Sequence, residues 1–369
     1  MGDRAALDRL DGLRETRDDP IGPFPSDIGR RRVSRTKVDL TPGEIEALAR
    51  AAFGASTRVA ACQPAEQGLY NAAYLLDLAG AGPPRAFLKV APPDDVPVLT
   101  YEKDLLRTEI AVLKALAAAK IAAPVPAVLA DDLSRRIVDR DLVFMQALEG
   151  RSLSALRPTL GAADLVGLRH QIGAIAASFA AVTAPTFGYP GHPDLQAPTW
   201  REAWRRIVGA LLADARRFDS PLPAPLGEIA DLFEAALPEF EDVITPRLIH
   251  YDLWDGNILV RPGAKGWEVT GVVDWERAFY GDPLAEIVSL VLFEDSAQKA
   301  AVLDALAAAG GAAQTDGEAA RRLTLYRAYL WLIMIVEAGP RGAAGSILLP
   351  TSWAARRLMR DLTAAAREA

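Results

Sequence analysis

The stretch Leu248–Val260 constrains this chain most, because polar residues interrupt an otherwise apolar run there. The continuous apolar run breaks at His250, and the next one begins after Asn257. An apolar segment on each side predicts two buried strands, and the polar residues between them predict a loop held at both of its ends. That loop carries a carboxylate, Asp252, and an amide, Asn257, five residues apart.

The residues after this loop predict a β-hairpin. Residues 258–261 and 267–273 are rich in β-branched and apolar side chains, and the turn-forming segment Pro262–Gly266 separates them. Antiparallel pairing brings Asn257 and Asp274 to the same open end of the hairpin, although the sequence does not set the register.

The hairpin places oxygen donors where a metal ion could bind. Magnesium takes carboxylate oxygens together with substrate phosphates, so Asn257, Asp274 and Glu276 form a candidate magnesium site. In phosphoryl transfer, a loop aspartate accepts the proton of the attacking hydroxyl, and an asparagine five positions later, after four intervening residues, holds the metal. The alternative interpretation is an ordinary loop rich in Asp and Asn, with one aspartate acting as a cap.

Three segments resemble the aminoglycoside phosphotransferase family of small-molecule kinases. They are His250-Tyr-Asp252 through Asn257, Val273-Asp274-Trp-Glu276, and Gly281-Asp-Pro283. The resemblance extends as a pattern over roughly residues 40–340, but only these segments are specific. It implies an α+β, two-lobed protein-kinase-like fold, with ATP and Mg²⁺ as cofactors, and it gives His250 a supporting role in bracing the loop. Tyr251 departs from the pattern, since the family usually has glycine there.

A lysine and a glutamate in apolar surroundings form a second candidate site. Lys89 lies inside the apolar strand Phe87–Val90, and Glu109 shares one face of the predicted helix Tyr101–Lys120 with several leucines. Buried charges need partners, so we expect these two to form an ion pair. The resemblance implies that the pair holds the α- and β-phosphates of the nucleotide. Alternatively, each side chain reaches water on its own.

Two further segments are nucleotide-binding candidates through the resemblance. Gly68 and Asn71 lie in a predicted hairpin turn that would cover the phosphates. The backbone of Gln146–Leu148 would bind the adenine edge, just before the lobe crossing at Gly150. A plain turn and a plain strand end remain the alternatives.

The chain has 369 residues, which is more than one hydrophobic core usually covers. We expect a loosely ordered arm over residues 1–36, a nucleotide-binding lobe with an antiparallel sheet over 37–149, and a mainly helical lobe over 150–369 that carries the catalytic loop and the substrate site. Within the first lobe, a capping box at Thr41 predicts a helix that ends at Gly54. Residues 136–144 are predicted to form two strands about a tight turn.

Composition limits the class of protein. The net charge of −7 argues against nucleic acid as a partner, since such binders normally show a basic patch. The one cysteine excludes an intrachain disulfide, and no apolar run is long enough to span a bilayer. We therefore expect a cytoplasmic protein.

Together these features predict an ATP-dependent kinase that phosphorylates a hydroxyl of a small molecule, with Asp252 as the proton acceptor. The acceptor could be an aminoglycoside or another antibiotic, a sugar or an amino alcohol. The alternative hypothesis is a nucleotide-binding regulatory protein that keeps the fold without turnover. The sequence does not decide the acceptor, the choice between ATP and GTP, or the oligomeric state.

Overall fold

The computed structural model describes residues 36–65, 70–292, 294–340 and 351–368. Gly68 and nearly all of the predicted N-terminal arm lie outside these residues. The chain divides into two compact units, and among the described residues the larger comprises 36–206 with 243–313 and the smaller comprises 207–242 with 314–368. The lobe boundary expected near residue 150 falls inside the larger unit.

The larger unit begins with helix α1, Pro42–Phe53. Its start is the predicted capping box, in which the Thr41 backbone N–H donates to Glu44 at 2.7 Å and the Thr41 hydroxyl oxygen accepts from the Glu44 N–H at 3.3 Å. Its end is at Gly54, which has a φ of 113°. The predicted first helix is therefore confirmed at both ends.

A five-stranded antiparallel sheet follows, in the spatial order β1-β2-β3-β5-β4. Its strands are β1 (Arg58–Pro64), β2 (Ala72–Ala79), β3 (Arg85–Val90), β4 (Val128–Asp132) and β5 (Leu142–Gln146). Ile45 and Leu48 of α1 join Leu76, Leu88 and Phe144 of the sheet in one apolar core. Burying this stripe of the helix against one face of the sheet stabilises both elements.

Two predicted boundaries in this region are wrong. The helix expected from Tyr101 begins instead at Leu105, because Asp104 adopts a left-handed backbone (φ 55°) and separates a short 3₁₀ turn from α2 (Leu105–Ala118). Residues 136–141 form no strand, and β5 pairs instead with the earlier strands β3 and β4. Asp141 there accepts hydrogen bonds from Arg107 and Arg135, so side-chain contacts define this loop.

The rest of the larger unit holds two small sheets and several helices. The sheets have the orders β11-β10-β6 and β8-β7-β12-β9. Their strands are β6 (Arg151–Ser152), β7 (Phe187–Gly188), β8 (Gln196–Ala197), β9 (Arg247–Ile249), β10 (Ile258–Gly263), β11 (Gly266–Val272) and β12 (Phe279–Gly281). The helices are α3 (Leu153–Leu156), α4 (Ala162–Phe179), the start of α5 (Trp200–Arg217), α7 (Ala285–Val291) and α8 (Ser296–Ala308).

The predicted hairpin is confirmed as β10 and β11. Its strands extend further than expected, to the pair Gly263 and Gly266, so the connecting loop is shorter than predicted. The register places Ile258 opposite Val272, and the Val273 N–H donates to the Asn257 carbonyl at 3.0 Å. Asn257 and Val273 are thereby bonded at the open end of the hairpin, immediately before Asp274.

The smaller unit is helical, with the remainder of α5, α6 (Leu226–Ala235), α9 (Gly317–Val336) and α10 (Thr351–Glu368). Asp361 of α10 is buried and accepts hydrogen bonds from Arg327 and from the Trp331 indole of α9. Phe240 stacks on Tyr326 with ring centroids 5.6 Å apart. No described helix is long and apolar enough to cross a membrane.

The packing of α4 against α8 yields a matched pair of substitutions. A Cβ atom on Gly173 would lie 2.3 Å from the Val302 carbonyl oxygen, whereas a Cβ on Gly167 of the same helix would meet nothing within 4 Å. We expect Gly173→Ala to destabilise the protein by about 1–3 kcal/mol through overpacking. Gly167→Ala should be neutral or stabilising by up to about 1 kcal/mol. Urea unfolding of both variants checks this, and equal shifts would contradict the proposed close packing.

Candidate active site

The loop between β9 and β10 is held by strands of two different sheets. β9 pairs with β12, and β10 pairs with β11 and β6. The loop closes with a 3₁₀ turn, Asp255–Asn257, before β10 begins. The strands expected on either side of the polar residues are therefore present.

Tyr251 shows why glycine suits its position. Its φ of 61° lies in the left-handed region, which costs a residue with a side chain about 1–3 kcal/mol. The ring is 1% exposed and lies 5.1 Å from the ring of Phe279. Burial of an aromatic ring offsets a cost of that size, so the loop keeps its left-handed residue without glycine.

Glu286 of α7 fastens the start of the loop, and the sequence analysis missed it. Its carboxylate accepts the His250 N–H at 2.7 Å and the Tyr251 N–H at 3.2 Å. Burial raises the pKa of Glu286 to about 7, although the two N–H donors favour the ionised form. An acidic residue inside the apolar run that follows Asp282-Pro283 was the available signal.

His250 links the loop to the end of the hairpin. Its ring is fully buried, and burial lowers its pKa to about 4, so the ring is neutral at pH 7. Nδ1 accepts the Asp252 N–H at 3.3 Å, which leaves the proton on Nε2 to be donated to the Val273 carbonyl at 3.0 Å. These contacts suit the predicted supporting role.

Asp252 and Asn257 contact each other directly. The Asn257 amide nitrogen donates to the Asp252 carbonyl at 2.8 Å and to its carboxylate at 3.2 Å. The amide oxygen of Asn257 is therefore the atom left to bind a cation. The Asp252 side chain is 25% exposed, and Arg277 Nε lies 3.9 Å from it. The carboxylate is thus oriented and still within reach of a bound molecule.

The expected ion pair of Lys89 and Glu109 forms, and two more carboxylates join it. Lys89 Nζ lies 2.7 Å from Glu109, 2.5 Å from Asp274 and 3.1 Å from Glu276. Glu109 also accepts the Trp275 N–H at 3.2 Å. One ammonium therefore joins β3, α2 and the turn that follows β11.

The charges in this cluster are unbalanced, with three carboxylates around one ammonium. Burial acts to lower the pKa of Lys89, but the carboxylates hold it well above its usual value. Burial and the neighbouring Asp274 raise the pKa of Glu276 to about 8, and burial raises the pKa of Glu109. Burial opposes ionisation of Asp274 as well, yet the Lys89 ammonium keeps its pKa below the usual value.

The donor set fits a hard divalent cation. Oxygens of Glu109, Asp274 and Glu276 lie within 4.8 Å of one another. Asp274 is the most accessible, with 31% of its side chain exposed against 11% for Glu276 and 1% for Glu109. A cation approaching from solvent would therefore meet Asp274 first.

The remaining candidates occupy different places. Asn71 donates from its amide nitrogen to Glu276 at 2.7 Å, and its buried amide oxygen has no hydrogen-bond partner among the described residues. Gln146 ends β5, and its N–H donates to the Ala127 carbonyl at 2.8 Å, so that N–H is already engaged. Leu148 packs over Gly271 of β11. Asn71 therefore joins the cluster of Lys89, Glu109, Asp274 and Glu276, which we call the Lys89 cluster. Gln146 is the last residue of β5, and Leu148 lies two residues beyond it.

Solved structures share this architecture. A protein designated a fructosamine-3-kinase from Thermobifida fusca YX-ER1 is 23% identical, with a TM-score of 0.60 over 88% of this chain and 98% of that one. A thermostable mutant of aminoglycoside phosphotransferase APH(4)-Ia, in ternary complex with AMP-PNP and hygromycin B, is 18% identical, with a TM-score of 0.58 over 86% and 98%. The gentamicin complex of APH(2")-IIa is 15% identical, with a TM-score of 0.58 over 90% and 99%. At these identities the likeness establishes the fold, and the predicted α+β protein-kinase-like fold is confirmed.

The fold and the family match define a phosphotransferase. The sequence profile of the phosphotransferase enzyme family matches residues 61–323, which is well over half of the chain. The chain therefore belongs to this family, as the motifs had indicated. No curated protein matches the sequence.

We expect substitutions of Lys89 and of Glu109 to lower the stability of the protein by different amounts. Lys89→Met leaves Glu109, Glu276 and the partly exposed Asp274 without a cation and should cost about 3–5 kcal/mol of stability, the usual loss on removing one partner of a buried ion pair. Glu109→Gln should cost less, because Lys89 keeps Asp274 and Glu276 and the amide still accepts the Trp275 N–H. Unfolding midpoints in urea test this, with the exposed Glu268→Gln as the control. Equal losses would show that Lys89 depends on Glu109 alone.

Proposed function

We propose that this protein is an ATP-dependent kinase that transfers the γ-phosphate to a hydroxyl group of a small molecule. The observation that carries the proposal is the arrangement of Asp252. Its carboxylate accepts a hydrogen bond from Asn257 and remains partly exposed. The loop that carries it is held in place by hydrogen bonds of His250 and Glu286. Such an arrangement serves catalysis by positioning and by charge neutralisation.

Asp252 is the proposed proton acceptor. It orients the acceptor hydroxyl and takes its proton as the phosphoryl group arrives, as the loop aspartate does in related phosphoryl-transfer sites. Arg277 Nε, 3.9 Å away, places a positive charge beside this carboxylate.

Asn257, Asp274 and Glu276 are the proposed holders of Mg²⁺. When bound, the metal would neutralise negative charge that develops on the phosphoryl group. The amide oxygen of Asn257 and the carboxylate of Asp274 would supply donors, and Asp274 is the more accessible of the two. Glu276, engaged by Lys89 and Asn71, lies deeper and contributes chiefly to the charge of the site.

The nucleotide is proposed to lie next to the same cluster. Lys89, fixed by Glu109, donates to the α- and β-phosphates, and the turn predicted at Gly68 and Asn71 would cover them. The unpartnered buried oxygen of Asn71 supports a ligand near this turn. The backbone after Gln146, through Leu148, binds the adenine edge. In this proposal residues 37–149 form the nucleotide lobe and residues 150–369 the lobe that holds the acceptor.

The acceptor is proposed to be a hydroxylated small molecule, in the cytoplasm. Similar solved structures are complexes with hygromycin B, gentamicin or streptomycin. An aminoglycoside, and with it a role in antibiotic resistance, is therefore one candidate, beside sugars and amino alcohols. A screen of ATP consumption over these classes, with the phosphorylated position read from the product, tests the proposal. Binding of Mg²⁺–ATP with no consumption across the panel would favour a nucleotide-binding regulator instead.

The role of Asp252 is tested by Asp252→Asn. We expect turnover to fall by about 10²–10⁴-fold, because general-base assistance is typically worth that much. Nucleotide affinity should stay close to that of the parent, since Asp252 contacts the acceptor side. Steady-state kinetics and nucleotide titration measure the two quantities, with the exposed Asp94→Asn as the control. Turnover near that of the parent would remove Asp252 from the mechanism.

Substitutions of Asp274 and Glu276, the two acids that follow the hairpin, should differ in their effect on activity. Asp274→Asn should abolish activity at ordinary magnesium concentrations, because it removes the most accessible charge that would hold the cation. Glu276→Gln should reduce activity less, because the amide oxygen of glutamine can still accept the hydrogen bond from Asn71. A magnesium titration of activity compares both variants with the parent. The reverse order, with Glu276→Gln inactive and Asp274→Asn active, would overturn the assignment.

A further inference from the structure

Two arginines and two carboxylates form a cluster behind the turn that carries Asn257. Arg157 Nη1 lies 2.5 Å from Asp255, and Arg157 Nη2 lies 3.1 Å from Glu294. Arg169 donates to Asp255, and its distance to Glu294 is 2.6 Å. Gln298 of α8 adds an acceptor for Arg157 at 3.1 Å. Each carboxylate is therefore shared by both arginines.

The cluster is buried and its charges balance. Arg169 is 3% exposed, Asp255 7%, Glu294 6% and Arg157 24%. Removing either arginine leaves two close carboxylates with one cation, which is strongly unfavourable in a buried site. Ion clusters of this kind add little net stability compared with apolar packing. Their clearer consequence is a fixed geometry, because each charge-assisted bond holds its partner in one place.

The cluster fixes the position of the 3₁₀ turn Asp255–Asn257 in the candidate active site. Asp255 is the first residue of the 3₁₀ turn that ends at Asn257, and Ser152 Oγ donates to the Asp255 carbonyl at 3.3 Å. Arg169 lies on α4, and Arg157 follows α3. The cluster therefore connects these helices to the residue just two positions before Asn257.

We infer that Arg157 and Arg169 are positioning residues for the metal-binding side of the active site. Through Asp255 they hold the turn so that the amide of Asn257 stays against Asp252 and its oxygen faces the cation. The inference rests on the proposed function, and it adds that metal affinity depends on residues that contact neither the metal nor the nucleotide.

The test compares two double variants that carry the same net charge. Arg169→Met with Glu294→Gln leaves one arginine and one carboxylate, and it keeps the Arg157–Asp255 bond that anchors the turn. Arg169→Met with Asp255→Asn is equally neutral, but the turn then offers only an uncharged amide to Arg157. A purely structural role predicts the same behaviour for both, whereas a positioning role separates them.

The readout is the affinity for Mn²⁺ in the presence of AMP-PNP, measured by electron paramagnetic resonance, together with the unfolding midpoint. The variant that keeps Asp255 should bind Mn²⁺ within about threefold of the parent, because Arg157, which no longer has to pair with a charged Glu294, can hold Asp255 without Arg169. The variant with Asp255→Asn should bind at least about tenfold more weakly, a usual loss when the residue supporting a metal ligand is removed. Their unfolding midpoints should agree.

Single variants keep the test decisive if a double variant does not fold. Arg157 lies at the more exposed edge of the cluster, and Arg157→Met should weaken Mn²⁺ binding several-fold. The control Arg261→Met, at an exposed residue of β10, should leave Mn²⁺ binding unchanged. Equal Mn²⁺ affinity in both double variants, or parent-like affinity in Arg157→Met, would overturn this inference alone. A parent protein that bound no Mn²⁺ with AMP-PNP would overturn the proposed function, and this inference with it.

Discussion

The ammonium of Lys89 is the interaction on which the rest of the site depends. It contacts Glu109 of α2 and two acids that follow β11, so a strand, a helix and a hairpin meet at one charge. Glu276 is largely protonated at neutral pH because its pKa is about 8, but Glu109 and Asp274, when ionised, still carry more negative charge than the single Lys89 ammonium offsets in this partly closed space. Such a space favours a divalent cation and repels a bare triphosphate, and that contrast gives the proposed cofactors their physical basis.

Buried charged side chains hold the loop between β9 and β10 at both of its ends. Glu286 accepts the two N–H groups at its start, and Asp255 near its end lies between two arginines. Between these anchors, Tyr251 keeps a left-handed backbone and Asp252 remains open to a bound molecule. A rigidly held loop with Asp252 accessible to a bound molecule suits phosphoryl transfer that depends on positioning.

Sequence periodicity predicted the parts of the fold that follow from local chemistry. The capping box at Thr41, the hairpin before Asp274 and the partners Lys89 and Glu109 all depend on short-range patterns or on the cost of burying charge. The pairing of β5 with β4 was missed because Asp141 is held in a loop by Arg107, which lies 34 positions away. Glu286 and Arg169 were missed for a similar reason, since their partners lie 36 and 86 positions away. Long-range hydrogen bonds leave little trace in one sequence.

The central claim is that the carboxylates around Lys89 need a divalent cation before they admit a nucleotide. Titration calorimetry of AMP-PNP with the intact protein, with Mg²⁺ and then with EDTA, tests it directly. We expect binding to be at least about tenfold tighter with Mg²⁺, because two added positive charges offset the excess of carboxylates near the phosphates. Equal or tighter binding in EDTA would contradict the account.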